Sequence, residues 1–137
     1  MRKVFADTLF WIAATKPRDE WHGAALDAKK KLGEAIIVTT DDVLVEFLAS
    51  LSQAPFLREK AVHAVRAIFR NPNVQVMPHT RKSFLDGLDR YAERRDKSYT
   101  LTDCISMNVM EAESIQEVLT NDHHFEQEGF VVLIKKS

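Results

Sequence analysis

The chain has 137 residues, 45% of them hydrophobic, and a formal net charge of −1. That is enough apolar material for one globular domain spanning residues 1–137, and it excludes a disordered chain. A near-neutral balance also excludes a protein living on non-specific DNA affinity, so any nucleic-acid contact must come from a local patch or from metal ions that offset local acid.

In chain order, the sequence predicts a short buried strand over residues 2–7, a helix from Thr8 to Ala14 and a break at Lys16-Pro17. A long helix is expected from Arg18 to Leu32, stopped by Gly33. Ala35 to Val38 reads as a second strand, Thr39-Thr40-Asp41-Asp42 as a helix start, and Val43 to Gln53 as the helix, with Val43, Leu44, Val45, Phe47 and Leu48 buried. Then come a helix from Phe56 to Phe69, a strand from Val74 to Met77 and a charged helix from Thr80 to Arg95. A nearly all-apolar helix from Leu101 to Ala112 precedes a strand at Ile115 to Leu119. A short helix from Asp122 to Glu126 and a last strand at Phe130 to Ile134 complete the chain. Short apolar strands alternating with helices predict an α/β domain with a mainly parallel sheet covered on both faces. In such sheets ligands gather beyond the carboxyl ends of the strands.

Four acids fall at or near such ends. Asp7 follows the first strand and Asp122 the fourth; Glu46 lies on the helix after the second, and Asp103 opens the apolar helix. Carboxylates gathered at one edge repel one another without a cation, and Mg²⁺ or Mn²⁺ is the cation that prefers oxygen ligands. Each acid also has a structural reading. Asp7 and Asp122 stand where N-caps stand, Asp103 can close a capping box with Thr100, and Glu46 shares a polar face with Asp42, Ser50 and Gln53. An acid above Met107 and Met110 is costly unless paired.

"VFADTLFWIAA", "TTDDVLVEFLASLS", "SYTLTDCISMNVM" and "VLTNDHHFEQEGFVVL" resemble, in order, the four blocks of PIN-domain ribonucleases, and most closely the VapC-type toxins of toxin–antitoxin pairs. The middle, residues 54–97, matches only in helical character. The resemblance implies a three-layer α/β/α sandwich around a short parallel sheet, and Mg²⁺- or Mn²⁺-dependent RNA cleavage at an acidic quartet. The matching positions are Asp7, Glu46, Asp103 and Asp122, as metal-binding and catalytic residues. Thr8 and Thr120 match hydroxyl residues that accompany the first and last acids. A homodimer and a cognate antitoxin are the partners it implies.

The rest of the inventory is quieter. The basic stretches Lys29-Lys30-Lys31 and Arg94-Arg95-Asp96-Lys97 are candidate RNA contacts, the second favoured because it precedes the Asp103 helix. His123 and His124 read as surface or RNA-facing, while His22, His63 and His79 show no ligand spacing. Cys104, the sole cysteine, reads as core filler and excludes an internal disulfide or a thiolate zinc site; Trp11 and Trp21 read as packing. No apolar run spans a membrane, and Asp7 interrupts the only apolar N-terminal segment, so a cytoplasmic chain without a signal peptide is expected. Four rivals stay open. They are a metal-independent ribonuclease using histidines, an aspartyl-phosphate receiver domain, a non-catalytic RNA- or protein-binding module on the same fold, and a DNA-directed or structure-specific nuclease. The receiver needs a lysine at a late strand end, where "VLTND" places an acid.

Overall fold

A computed structural model describes residues 1–136. The strands are β1 (Lys3–Ala6), β2 (Ile36–Thr40), β3 (Val74–Met77), β4 (Glu117–Leu119) and β5 (Val131–Val132). They form one sheet in the order β3-β2-β1-β4-β5, and every pairing is parallel. The helices are α1 (Thr8–Thr15), α2 (His22–Leu32), α3 (Asp41–Ser50), α4 (Pro55–Arg70), α5 (Arg81–Glu93), α6 (Leu101–Ala112) and α7 (His123–Gln127).

The centre of the sheet shows why the layers stack. Val4, Phe5 and Ala6 are consecutive on β1, and all are fully buried. Successive strand side chains point to opposite faces, so both faces of β1 are covered by protein. Phe5, Phe10, Phe47, Met107, Leu119 and Phe125 anchor the core, each wholly or almost wholly buried. Fully burying a side chain of this size contributes about 1.5–3 kcal/mol.

Several expected boundaries move for identifiable reasons. The helix expected from Arg18 starts at His22, because Lys16–Trp21 is folded into turns: the Asp19 amide donates to the Lys16 carbonyl, and the Asp19 carboxylate accepts the Trp21 amide at 2.8 Å. The second strand runs on through Thr39 and Thr40. Buried Thr39 hydrogen-bonds the Ala6 carbonyl and accepts from the Trp11 indole, while Thr40 ends the strand and caps α3 through the Val43 amide. Helix α3 therefore opens at Asp41 and ends by Ser50. Its buried stripe is Val43, Leu44 and Phe47; Val45 (66% exposed) and Leu48 (37%), expected in the core, face outward. Strands β4 and β5 are shorter than expected, and α5 stops at Glu93 rather than Arg95. Gly33 ends α2 with φ of 62°, as expected of a glycine stop.

Helices α5 and α6 pack through Gly87. A Cβ added there would lie 2.5 Å from Ile105 Cγ1, closer than side chains approach without a shift. Gly87→Ala is expected to lower stability by about 1–3 kcal/mol, as overpacking does. The readout is a lower urea midpoint at unchanged m; an unchanged midpoint would show that the two helices have room to part.

Candidate metal centre

The strand order turns between β1 and β4. Strands β1, β2 and β3 step one way across the sheet, and β4 and β5 step the other. This is where parallel sheets open a crevice at their carboxyl edge. Asp7 leaves β1 there, and Thr120 and Asp122 leave β4 there.

Hydroxyl groups tie the acids together. Thr120, fully buried, donates to Asp7 Oδ2 at 3.0 Å and accepts the Asp122 amide at 3.2 Å. Thr8 donates to Glu46 Oε1 at 2.6 Å, which links the start of α1 to α3. Asp103 and Thr100 form the expected capping box: the Thr100 amide donates to Asp103 Oδ2, and the Asp103 amide donates to the Thr100 hydroxyl, both at 3.0 Å. Asp122 caps α7 by accepting the His124 amide at 2.9 Å. Asp7, expected as a cap, makes no side-chain capping bond; its Oδ2 is engaged by Thr120 instead.

The tightest group of potential ligands among the described residues is Asp103, Asp122 and His124, whose donor atoms all lie within 4.8 Å of one another. Asp7 and Glu46 stand outside that trio. They are joined to it by Thr120 and by charge, since Asp7 feels both Asp103 and Glu46. Burial pushes the Asp7 carboxyl up to about 7, and the negative charges of Asp103 and Glu46 add to it. The Thr8 amide and the Thr120 hydroxyl pull the other way without prevailing. Asp103 is also raised, by burial and then by Asp122, against the Thr100 amide and His124. Buried like charges of this kind are favourable to a cation and unfavourable without one. The donor set, carboxylate oxygens with one imidazole, therefore fits a divalent metal.

His124 departs from the surface half of its sequence reading. Its side chain is 17% exposed, not a surface group, and Nδ1 lies 3.3 Å from both Asp103 Oδ2 and Asp122 Oδ1. His123, with 73% of its side chain exposed, does face outward. The local signal was the spacing: a capping aspartate engages the amide two residues on, which draws that residue toward its carboxylate.

A second layer holds His124 in place. Ser98 Oγ lies 3.2 Å from Nε2, and the Tyr99 ring sits 5.2 Å away at a 60° tilt. The Tyr99 hydroxyl donates to Glu128 Oε2 at 2.9 Å, and burial together with that carboxylate pushes the Tyr99 phenol up to about 12. Glu128 also accepts from Arg90 at 2.8 Å and from Arg94 at 3.1 Å. Burial alone would raise Glu128; bonds from Arg94 and Tyr99 and the charges of Arg94 and Arg90 hold it below its ordinary value. Arg90, with a side chain only 8% exposed, further binds Asn108 and Glu111. Glu128→Ala strips a buried arginine of one partner and is expected to cost about 3 kcal/mol. Thermal unfolding measures it, and a loss below about 1 kcal/mol would mean Glu111 and Asn108 satisfy Arg90 alone.

No protein-family model matches the sequence, and no curated protein sequence matches it. Solved structures do. VapC20 of Mycobacterium tuberculosis, a sarcin–ricin loop cleaving toxin, is similar with a TM-score of 0.84 and 26% identity, over 93% of this chain and 96% of that one. VapBC2 of Rickettsia felis, solved bound to a DNA fragment from its promoter, is similar with a TM-score of 0.63 and 15% identity, over 95% of this chain and 96% of that one, a likeness of fold. With an all-parallel five-stranded sheet and acids at the crevice where its strand order turns, the chain has a VapC-like fold and is similar to the toxin VapC20 over nearly its whole length.

Proposed function

We propose that the chain is a divalent-metal-dependent endoribonuclease, the toxin of a toxin–antitoxin pair. The observation that carries this reading is geometric: Asp103, Asp122 and His124 bring their donor atoms within 4.8 Å of one another, and the buried Asp7 carboxylate is tied to the same crevice through Thr120. The likeness to an RNA-cleaving toxin supports RNA as the substrate.

Asp7, Asp103 and Asp122 are the proposed ligands of Mg²⁺ or Mn²⁺, with Glu46 completing the shell or orienting the attacking water. The bound ion supplies positive charge to the phosphate oxygens and lowers the pKa of water. Thr120 fixes the rotamer of Asp7 and the backbone of Asp122; Thr8 fixes Glu46. His124 holds the facing oxygens of Asp103 and Asp122 at a set separation. Hydrolysis in line leaves a 5′-phosphate and a 3′-hydroxyl. The ribose 2′-hydroxyl takes no chemical part, so preference for RNA comes from shape and contacts. The proposed protein partners are a cognate antitoxin and a second copy of the chain. Exposed Val45, Leu48 and Phe56 on α3 and α4 are apolar surface suited to such contacts.

End-group analysis of the RNA products tests the chemistry. A 5′-phosphate is expected. A 2′,3′-cyclic phosphate, made as readily in EDTA, would move the chemistry from the acids to His124. Manganese titration by calorimetry separates the enzyme from a binding module: heat of binding in the parent and none in Asp103→Asn supports the metal centre.

A further inference from the structure

Helix α5 ends at Glu93, and residues 94–100 cross to α6. Along this crossing runs a groove of about 460 Å³ lined by Tyr91, Arg94, Arg95, Lys97, Ser98 and Tyr99. A second, more apolar hollow shares Tyr91, Ser98 and Tyr99 and extends past Leu88 to Thr100 and Leu101. The two form one surface, and it reaches the acids directly: Ser98 lies against His124, and the Thr100 amide donates to Asp103.

Its chemistry contrasts with the centre it adjoins. The acids repel a phosphate chain, whereas the groove carries three cations and no acid in its lining. Arg94 is committed to Glu128. Arg95 has no carboxylate partner among the described residues, and Lys97 meets only its neighbour Asp96, an exposed pair of the kind worth little. Both cations are therefore available to a ligand. Tyr91 is 52% exposed, with Leu88, 44% exposed, one turn before it. A half-exposed aromatic ring beside exposed, at most weakly paired cations is the combination that holds single-stranded nucleic acid, rings stacking on bases and cations taking phosphates. The lysine run lacks that setting. Lys29 lines a hollow with Gly33, Glu34 and Ala35, at the amino end of β2 and so at the opposite edge of the sheet from the acids.

We infer that this groove is the site where an unpaired RNA strand lies as it enters the acidic centre, with Tyr91 stacking a base and Arg95 and Lys97 taking its phosphates. The inference rests on the ribonuclease reading above.

The test uses the full chain and two fluorescein-labelled probes, a short unstructured RNA and a sarcin–ricin-loop hairpin. Binding is read by anisotropy in EDTA, and KM and kcat are read in Mg²⁺. Arg95→Ala with Lys97→Ala is expected to weaken binding and raise KM roughly tenfold while kcat holds, and to reduce the slope of log affinity against log salt by about 0.7 per cation removed. Tyr91→Ala is expected to weaken binding roughly tenfold, with Tyr91→Phe restoring it, because a ring suffices for stacking. Lys30→Ala serves as the control and should bind as the parent does. A parent that cleaves RNA with these groove variants unchanged in affinity and KM overturns the groove and leaves the nuclease standing. A parent that binds RNA through the groove but cuts none supports the groove and removes the nuclease reading. A parent that binds neither RNA overturns both.

Discussion

In metal-free buffer, Asp7→Asn is expected to be more stable than the parent chain at pH 8 and about equally stable at pH 4. The sign follows from the raised carboxyl. An unfolded aspartate ionises near 3.8, whereas Asp7 in the fold holds its proton to about 7. Between those values the native state binds more protons than the unfolded state, so parent stability falls as pH rises and levels off above about 7. The gap converts to roughly 4 kcal/mol at most, at 1.36 kcal/mol for each pH unit. Asparagine cannot ionise and escapes that loss. Urea unfolding of both proteins in EDTA at several pH values measures it. A difference that stays constant from pH 4 to pH 8 would mean Asp7 is not a suppressed charge. Adding Mn²⁺ should restore stability to the parent and not to the variant, since a ligand bound only by the native state stabilises it by mass action.

Asp103→Asn is expected to lower kcat/KM for RNA at least about a hundredfold, with little effect on folding. Loss of groups that merely support metal ligands commonly costs 10- to 100-fold, and a ligand should cost no less. The fold should hold because asparagine keeps an oxygen for the Thr100 amide, so the capping box survives. His124→Ala is expected to fall short of that loss, since it removes the spacer between Asp103 and Asp122 and leaves the carboxylates. Steady-state cleavage with circular dichroism on the same samples checks both. A folded Asp103→Asn chain with full activity would remove Asp103 from the centre.

The sheet was readable from single stretches. Val4-Phe5-Ala6 is an unbroken apolar run and became a strand buried on both faces; Val74–Met77 and Leu101–Ala112 came out with the bounds the sequence implied. Local signals with one mechanism were also readable, such as the Thr100–Asp103 box and the glycine stop at residue 33. What escaped depends on residues far apart in the chain. Asp7 gives up its capping bond to a hydroxyl 113 positions away, at Thr120. His124 turns inward because Ser98, Tyr99, Asp103 and Asp122 surround it, and only one of those neighbours is local. Arg90 gave no sign of burial within a charged helix; its place is set by Asn108, Glu111 and Glu128 on later elements. Val45 and Leu48 look like core by composition, yet the turn of α3 gives the core to Val43, Leu44 and Phe47. Asp7 and Asp122 could be placed in advance because each follows a strand end, whereas Glu46 and Asp103 lie on helices, and the linkage of the acids through Thr8 and Thr120 rests on tertiary structure.

The most direct measurement incubates the purified chain with RNA in Mg²⁺ or Mn²⁺, beside an EDTA arm and Asp7→Asn and Asp103→Asn controls. Cleavage in metal that is lost in EDTA and in both variants is the predicted result. Cleavage that survives EDTA and both substitutions would contradict the account, because the chemistry would then belong to residues other than the acids at the edge of the sheet.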